Sequence, residues 1–373
     1  MEKAADILSR AYRGRRVLVT GHTGFKGSWL AAWLSELGAE VAGYALDPVS
    51  VRDNFVVSGL GRRILDVRGD VRDFDALKGV FEDFKPEFVF HLAAQALVRK
   101  GYQDPKETYD TNVGGTVNVL ENCRLSDSVR TIVNVTSDKC YENREWSWGY
   151  RECDPMGGYD PYSSSKGCSE LVSAAYRTSF FNRGAPSTSV KVLSTVRAGN
   201  VIGGGDWSED RIIPDCIRSL EAEEAIKIRN PNSVRPWQFV LEPLGGYLLL
   251  GATMSTDPDR YGGPWNFGPE RSSTVTVSEL VGLVIDEWGS GSWEPASAGA
   301  QVHEAGLLTL DINKARYKLG WSPVLGVKEA VKRTVEWYKA STRGADMGQL
   351  NQAQIRDYMV SMTAGHPEGA GGQ

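Results

Sequence analysis

Between positions 159 and 170 the chain reads YDPYSSSKGCSE, with two tyrosines, three serines in a row and one lysine. A helical turn takes about 3.6 residues, so Tyr162 and Lys166 share one face if a helix starts at Asp160-Pro161. Tyr159 lies before that turn, which leaves Tyr162 and Lys166 as the couple with a geometry fit for chemistry. A second stretch, VLVTGHTGFKGSWL, sets Gly21, Gly24 and Gly27 between an apolar run and a helical pattern. Glycine lets a backbone come close to a pyrophosphate, whose charge then meets the N-terminus of the helix. The spacing is G-x-x-G-x-x-G, not the dinucleotide pattern G-x-G-x-x-G, so a tight turn without a ligand stays open as the plainer reading.

A dinucleotide held at such a loop needs an acid further on for its ribose hydroxyls. Asp47, 26 residues beyond Gly21, is the nearest candidate. Arg52 would instead favour a 2′-phosphate, so the residues alone leave NAD and NADP both open. Asp70, in RGDVRD, is placed either to reach an adenine amino group or to sit beside a helix cap.

The elements that must position these residues alternate through the first half. Apolar runs predict strands at 17–20, 41–45, 64–67, 87–91, 131–136 and 190–196, and periodic stretches predict helices at 28–37, 73–84, 107–123 and 162–181. This is the rhythm of βαβ units, hence an α/β protein with a Rossmann-type doubly wound parallel sheet. Beyond residue 200 the rhythm breaks into loops and short strands. We therefore expect an NAD-binding domain over 12–200 with return segments near 236–268, a smaller substrate-binding lobe over 201–350, and a partly disordered tail over 351–373. Ile7, Leu8 and Tyr12 suggest a short amphipathic helix at the start.

A net charge of −5 argues against a nucleic-acid or anionic membrane surface, so any phosphate must be held in a local pocket. The five cysteines, at 123, 140, 153, 168 and 216, have no metal-type spacing and an odd count. With four scattered histidines they predict no metal site, and together with the absence of a leader-like or membrane-spanning apolar run they point to a reducing cytoplasm.

The glycine loop and the Tyr-x-x-x-Lys couple, in this order, resemble the extended short-chain dehydrogenase/reductase superfamily, as do HLAAQ at 91–95 and TNVGGT at 111–116. GHTGFKGSWL, VTSDKCYENREWSWGYRE, RAGNVIGGGDW, RPWQFVLEPL and WNFGP narrow the likeness to the CDP-glucose 4,6-dehydratase family, over roughly residues 12–340. The resemblance implies a homodimer that binds NAD and CDP-glucose. It implies cofactor contacts from Gly21, Gly24, Phe25, Lys26, Gly27, Asp47, Asp70, Val71, Leu92, Ala93, Ala94 and Thr111, with Tyr162 and Lys166 at the nicotinamide end.

The implied reaction oxidises C4 of the sugar, expels the C6 hydroxyl as water and reduces C6, with no net use of cofactor. Tyr162 would take the C4 hydroxyl proton. Free tyrosine, with a pKa near 10, is almost wholly protonated at neutral pH, so Lys166 and the nicotinamide charge are expected to lower it. Ser137 would support the C4 oxygen, and Asp138 would protonate the departing hydroxyl. Lys139 stands where related dTDP-glucose enzymes carry a glutamate that removes the C5 proton, which leaves the base open. Asn200, Arg211, Arg235, Asn266 and His303 are expected at the nucleotide sugar. Trp146, Trp148 and Trp207 divide between pocket lining and core. A 4-epimerase, a keto-sugar reductase and a non-catalytic dinucleotide sensor remain as alternatives.

Overall fold

The computed structural model describes residues 4–181, 190–296 and 306–364. The alternating runs fold as parallel strands β1 (Arg16–Thr20), β2 (Glu40–Ala45), β3 (Leu65–Arg68), β4 (Phe88–His91), β5 (Thr131–Val135) and β6 (Val192–Ala198). Short strands β7 (Asn200–Ile202), β8 (Ile226–Ile228) and β9 (Val234–Phe239) follow, then β10 (Gly263–Phe267), β11 (Thr274–Thr276) and β12 (Trp293–Pro295). The main sheet has seven strands in the order β10-β6-β5-β4-β1-β2-β3. Its neighbours all pair in parallel. β9 lies between β11 and β7 in one small sheet, and β12 pairs with β8 in another.

Buried parallel strands must be apolar on both faces, because helices cover both. Side-chain alternation divides the strands accordingly. Leu18, Val89, Ile132 and Leu193 enter one core, while Val17, Val19, Phe90, Val133 and Val196 enter the other. The helix Leu241–Met254 and strand β10 return the later chain to this sheet.

Two elements differ from expectation. The helix expected over 107–123 is two helices, Pro105–Tyr109 and Gly115–Leu125, joined by a wider turn at Asp110–Gly114. That turn lets the buried Asn112 bond the backbone of Gln95 on both sides and the Ser165 hydroxyl at 2.8 Å. Where a tail was expected, Met347–Ala364 forms a helix. It buries Ile355 and Tyr358, and Tyr358 meets Trp33 edge-on with ring centres 5.6 Å apart. The segment is polar on average and carries little amphipathic bias, so its sequence does not announce a buried element.

Glu242 ties that helix to the sheet. Fully buried, its carboxylate accepts from Val324 N at 3.0 Å, Leu325 N at 2.6 Å and the Tyr358 hydroxyl at 2.7 Å. Burial pushes its pKa from 4.5 up to about 7. A carboxyl whose folded pKa is raised stabilises the fold fully below the unfolded value, and that contribution fades as pH climbs to the folded value. The fading amounts to on the order of 3 kcal/mol. Calorimetric melting of wild type and Glu242→Gln should therefore show the wild type losing ground to the variant between about pH 5 and pH 8. A constant difference across that range would show that Glu242 does not titrate there.

Candidate active site

The first strand ends in Thr20, and the chain must turn at once into the helix Phe25–Glu36. Gly21 takes φ of +76°, and a Cβ there would lie 2.7 Å from Ala93 N. A Cβ at Gly27 would lie 2.0 Å from the Gly21 carbonyl. Both positions therefore require glycine, and the loop lies flat against the end of β4. Gly24 caps the helix without a side chain, so the N–H groups of its first turn face outward. Thr20 Oγ1 bonds His91 Nδ1 at 2.7 Å and accepts from Leu92 and Ala93 N–H, holding 92–94 alongside the loop. Burial depresses His91 to about 3, so it is a neutral partner.

These features fit a dinucleotide. The cradle lies where the strand order reverses, between β1 and β4, with a helix N-terminus aimed into it. Asp47 is exposed just past β2, and Thr23 bonds the neighbouring Leu46 carbonyl at 3.0 Å, so the acid borders the loop. The Asp70 carboxylate is gripped by Arg72, which holds its pKa down. Val71 is buried against Gly115, and Thr111 sits in the wide turn. Arg52 pairs with Glu221 at 2.5 Å and lies over Trp207, engaged away from any 2′-phosphate.

The Tyr162–Lys166 couple stands as its spacing predicts. Asp160 accepts from Ser163 N at 3.0 Å and Pro161 opens the helix Pro161–Ser179. Tyr162, Ser137, Asp138 and Lys139 line a cavity of about 340 Å³, shared with Lys26, Asn200, Arg211 and Arg235. The Ser137 hydroxyl donates to Asp138 at 3.0 Å and is hydrogen-bonded to Tyr162. Tyr162, Ser137 and Asp138 are thus connected side chain to side chain.

The electrostatics depart from expectation at one point. Burial pushes the Tyr162 phenol up to about 12, against the pull of Ser137 and Arg211. Burial also lowers Lys166 to about 8, helped by the neighbouring Lys26 charge. Lys166 donates to Val135 O at 3.3 Å. Asp138 is raised by burial, although Lys139, Ser137, Lys26 and Arg235 all oppose the shift. A raised carboxyl is the state a proton donor needs.

Lys26, expected at the cofactor, lines this cavity and is itself lowered to about 8 by burial and the Arg211 charge. Arg211 pairs with the buried Asp206 at 2.8 Å. Arg235, which lines the cavity, donates to the Gly306 carbonyl at 2.8 Å. Asn266 is corrected. It is fully buried on β10, where its side chain bonds Tyr141 at 2.8 Å and the Tyr150 carbonyl at 2.8 Å, and it does not line the cavity. The strand pairs with β6 and turns Asn266 under the site, a facing that WNFG alone does not reveal. His303 lies outside the described residues.

The glycines at 203–205 also serve packing. The Gly204 carbonyl accepts from Trp29 at 3.0 Å, and a Cβ on Gly204 would strike Trp337. Trp146 stacks on Tyr150 and meets Trp148 at a tilt, and Trp207 packs edge-on against Tyr338. None of the three borders the cavity; Trp237, which sequence reasoning did not single out, does. Glu170, Arg197 and Asp206 were also missed. The one sequence signal available was the place of Glu170, four residues after Lys166 on the same helical face.

Comparison with known proteins accords with this arrangement. The GDP-mannose 4,6 dehydratase family matches residues 18–250. The chain is 50% identical over 352 residues to the CDP-glucose 4,6-dehydratase of Salmonella typhimurium, covering 94% of this chain and 98% of that protein. Its structure is similar to the dTDP-glucose 4,6-dehydratase of Bacillus anthracis, solved in complex with NAD, with a TM-score of 0.72 at 20% identity over 90% of this chain and 100% of that one. It is also similar to the UDP-glucose 4-epimerase of Thermotoga maritima, solved with UDP-glucose, with a TM-score of 0.73 at 23% identity over 88% and 99% of the two chains. At such identities these two structures speak for the fold alone.

Proposed function

The chain belongs to the CDP-glucose 4,6-dehydratase family of the extended short-chain dehydrogenase/reductases, and on that premise we propose which of its residues carry each step. The enzyme is an NAD-dependent hydro-lyase that converts CDP-D-glucose into CDP-4-keto-6-deoxy-D-glucose and water. The observation that carries the assignment is the chain Tyr162–Ser137–Asp138, which puts a proton acceptor and a raised carboxyl in one cavity.

When bound, NAD supplies an acceptor for the C4 hydride, a positive ring beside the phenol, and the return of that hydride to C6. Tyr162 takes the C4 hydroxyl proton while Ser137 holds the oxygen. Ser137 and Arg211 work against the burial that keeps the phenol neutral. The 4-ketone makes the C5 proton acidic, and Lys139, beside Asp138 on the cavity wall, removes it in its free-amine form. Asp138 gives its proton to the C6 oxygen, which leaves as water. The C5–H and C6–O bonds break and a C5=C6 double bond forms; as C6 takes up hydride, Lys139 returns its proton to C5, which leaves the ketone at C4. Arg211, Arg235 and Asn200 face the remaining space, which suits the pyrophosphate of the substrate.

The same helices suggest a homodimer. Leu171 on the catalytic helix and Leu125 at the end of Gly115–Leu125 are exposed, as is Tyr109. Sedimentation at micromolar concentration should give twice the chain mass; a monomer would remove this reading.

With CDP-glucose carrying deuterium at C4, mass spectrometry should find the label at C6 of the same molecule, undiluted when unlabelled substrate is mixed in. Washout to solvent, or exchange between molecules, contradicts an internal redox cycle. Asp138→Asn should still oxidise C4, seen as absorbance at 340 nm, yet lose at least about 100-fold in product formation. Full turnover by that variant would take Asp138 out of the mechanism.

A further inference from the structure

Tyr162, Lys166 and Glu170 follow one another at four-residue steps along the helix Pro161–Ser179. Tyr162 faces the cavity, Lys166 stands behind it, and Glu170 is turned beneath the site. Both Glu170 oxygens are filled. Oε1 accepts from the Thr136 hydroxyl at 2.5 Å and Arg197 Nε at 2.8 Å. Oε2 accepts from the Thr195 hydroxyl at 2.7 Å and Arg197 Nη2 at 2.9 Å. Arg197 is 1% exposed. Its Nη1 donates to the Tyr141 hydroxyl at 2.6 Å and the Glu152 carbonyl at 3.3 Å, and its guanidinium lies 4.8 Å from the centre of the Tyr141 ring. Tyr141 in turn donates to Asn266 at 2.8 Å.

A buried ion pair is a weak source of stability, since a well-packed apolar pair often does as well. What distinguishes this one is where its outer bonds end. Thr136 directly precedes Ser137, and Tyr141 directly follows Cys140. The ion pair therefore grips both ends of the short turn that carries Ser137, Asp138 and Lys139. Its carboxylate, meanwhile, belongs to the helix that carries Tyr162 and Lys166.

We propose that the Glu170–Arg197 pair is a positioning device, clamping the acid-bearing turn to the catalytic helix so that Asp138 and Tyr162 meet the same sugar. This rests on the roles given above to Asp138 and Tyr162. A displaced turn would leave binding intact and misplace the proton donor, and a shift of about 1 Å is enough to cost on the order of 100-fold in rate. Glu170 has a second effect through charge. The groups acting on Lys166 are Lys26, which disfavours its ammonium, and Glu170 and the Cys140 thiol, which favour it. Neutralising Glu170 lets Lys166 lose its proton at lower pH.

The test takes the two ends of the clamp separately. Thr136→Val and Tyr141→Phe should each lower kcat by about 10-fold to 100-fold, with KM for CDP-glucose changed less than about twofold. The double variant should lose less than the product of the two, because both act through one ion pair. Thr136→Ser, which keeps the hydroxyl, should restore the rate. Glu170→Gln should bring the alkaline fall of kcat to lower pH, a shift that loosened packing would not cause. If Glu170→Gln does not fold, the other variants carry the test. Full kcat in folded Thr136→Val and Tyr141→Phe overturns the proposal, as does a Thr136→Ser as slow as the valine variant. A wild type that makes no 4-keto-6-deoxy sugar from CDP-glucose would instead refute the reaction itself, before any variant is compared.

Discussion

Parallel strands that start from one edge of a sheet must also end together at the other, and every reacting group of this enzyme depends on that. Backbone at strand ends leaves the sheet's hydrogen-bond ladder, so it can turn toward a ligand without breaking a pair. Gly21 leaves from β1, Leu92 from β4, Ser137 from β5 and Asn200 follows β6. The cofactor loop occupies the gap where the strand order reverses, and the sugar-side groups stand next to it above β5 and β6. The distance between the glycine loop and the turn of Ser137, Asp138 and Lys139 is thereby set by the spacing of strands.

On that frame the site is a problem of crowded charge. Lys26, Lys139, Arg211 and Arg235 share one cavity with the single catalytic carboxyl Asp138, while Asp206 is occupied by Arg211. The cations pull Asp138 down and burial lifts it, and burial is the larger effect. The same desolvation keeps Tyr162 protonated and makes Lys166 easier to deprotonate. Burial thus favours the uncharged form of each group. Small movements of charge then suffice to pass protons among them, which suits a reaction that moves protons at three adjacent carbons and returns the cofactor unchanged.

Beneath the cavity lies a network of buried, mutually bonded polar groups. Glu170 and Arg197 fill each other's bonding positions together with Thr136, Thr195 and Tyr141, and Asn266 closes the network from β10. The return of the late chain to the sheet is therefore part of the site's construction. Without β10 beside β6, Tyr141 would lack the acceptor for its hydroxyl.

Sequence alone determined what is local. The Tyr162–Lys166 couple, the Asp160-Pro161 helix start, the tight glycine turn and the succession of strands through β6 all follow from spacing within a few residues, where backbone geometry leaves little choice. It did not decide which way a side chain faces once strands are paired. Asn266 read as a ligand contact and became a buried acceptor, because pairing with β6 fixed its side. Lys26 read as part of the cofactor loop and also lines the cavity. Glu170 and Arg197 stand 27 residues apart in the chain, yet they meet through a bidentate contact. The burial of the phenol was not legible for the same reason: a neighbouring lysine is visible in the sequence, whereas the loss of water around Tyr162 is a sum over residues brought together only by the fold.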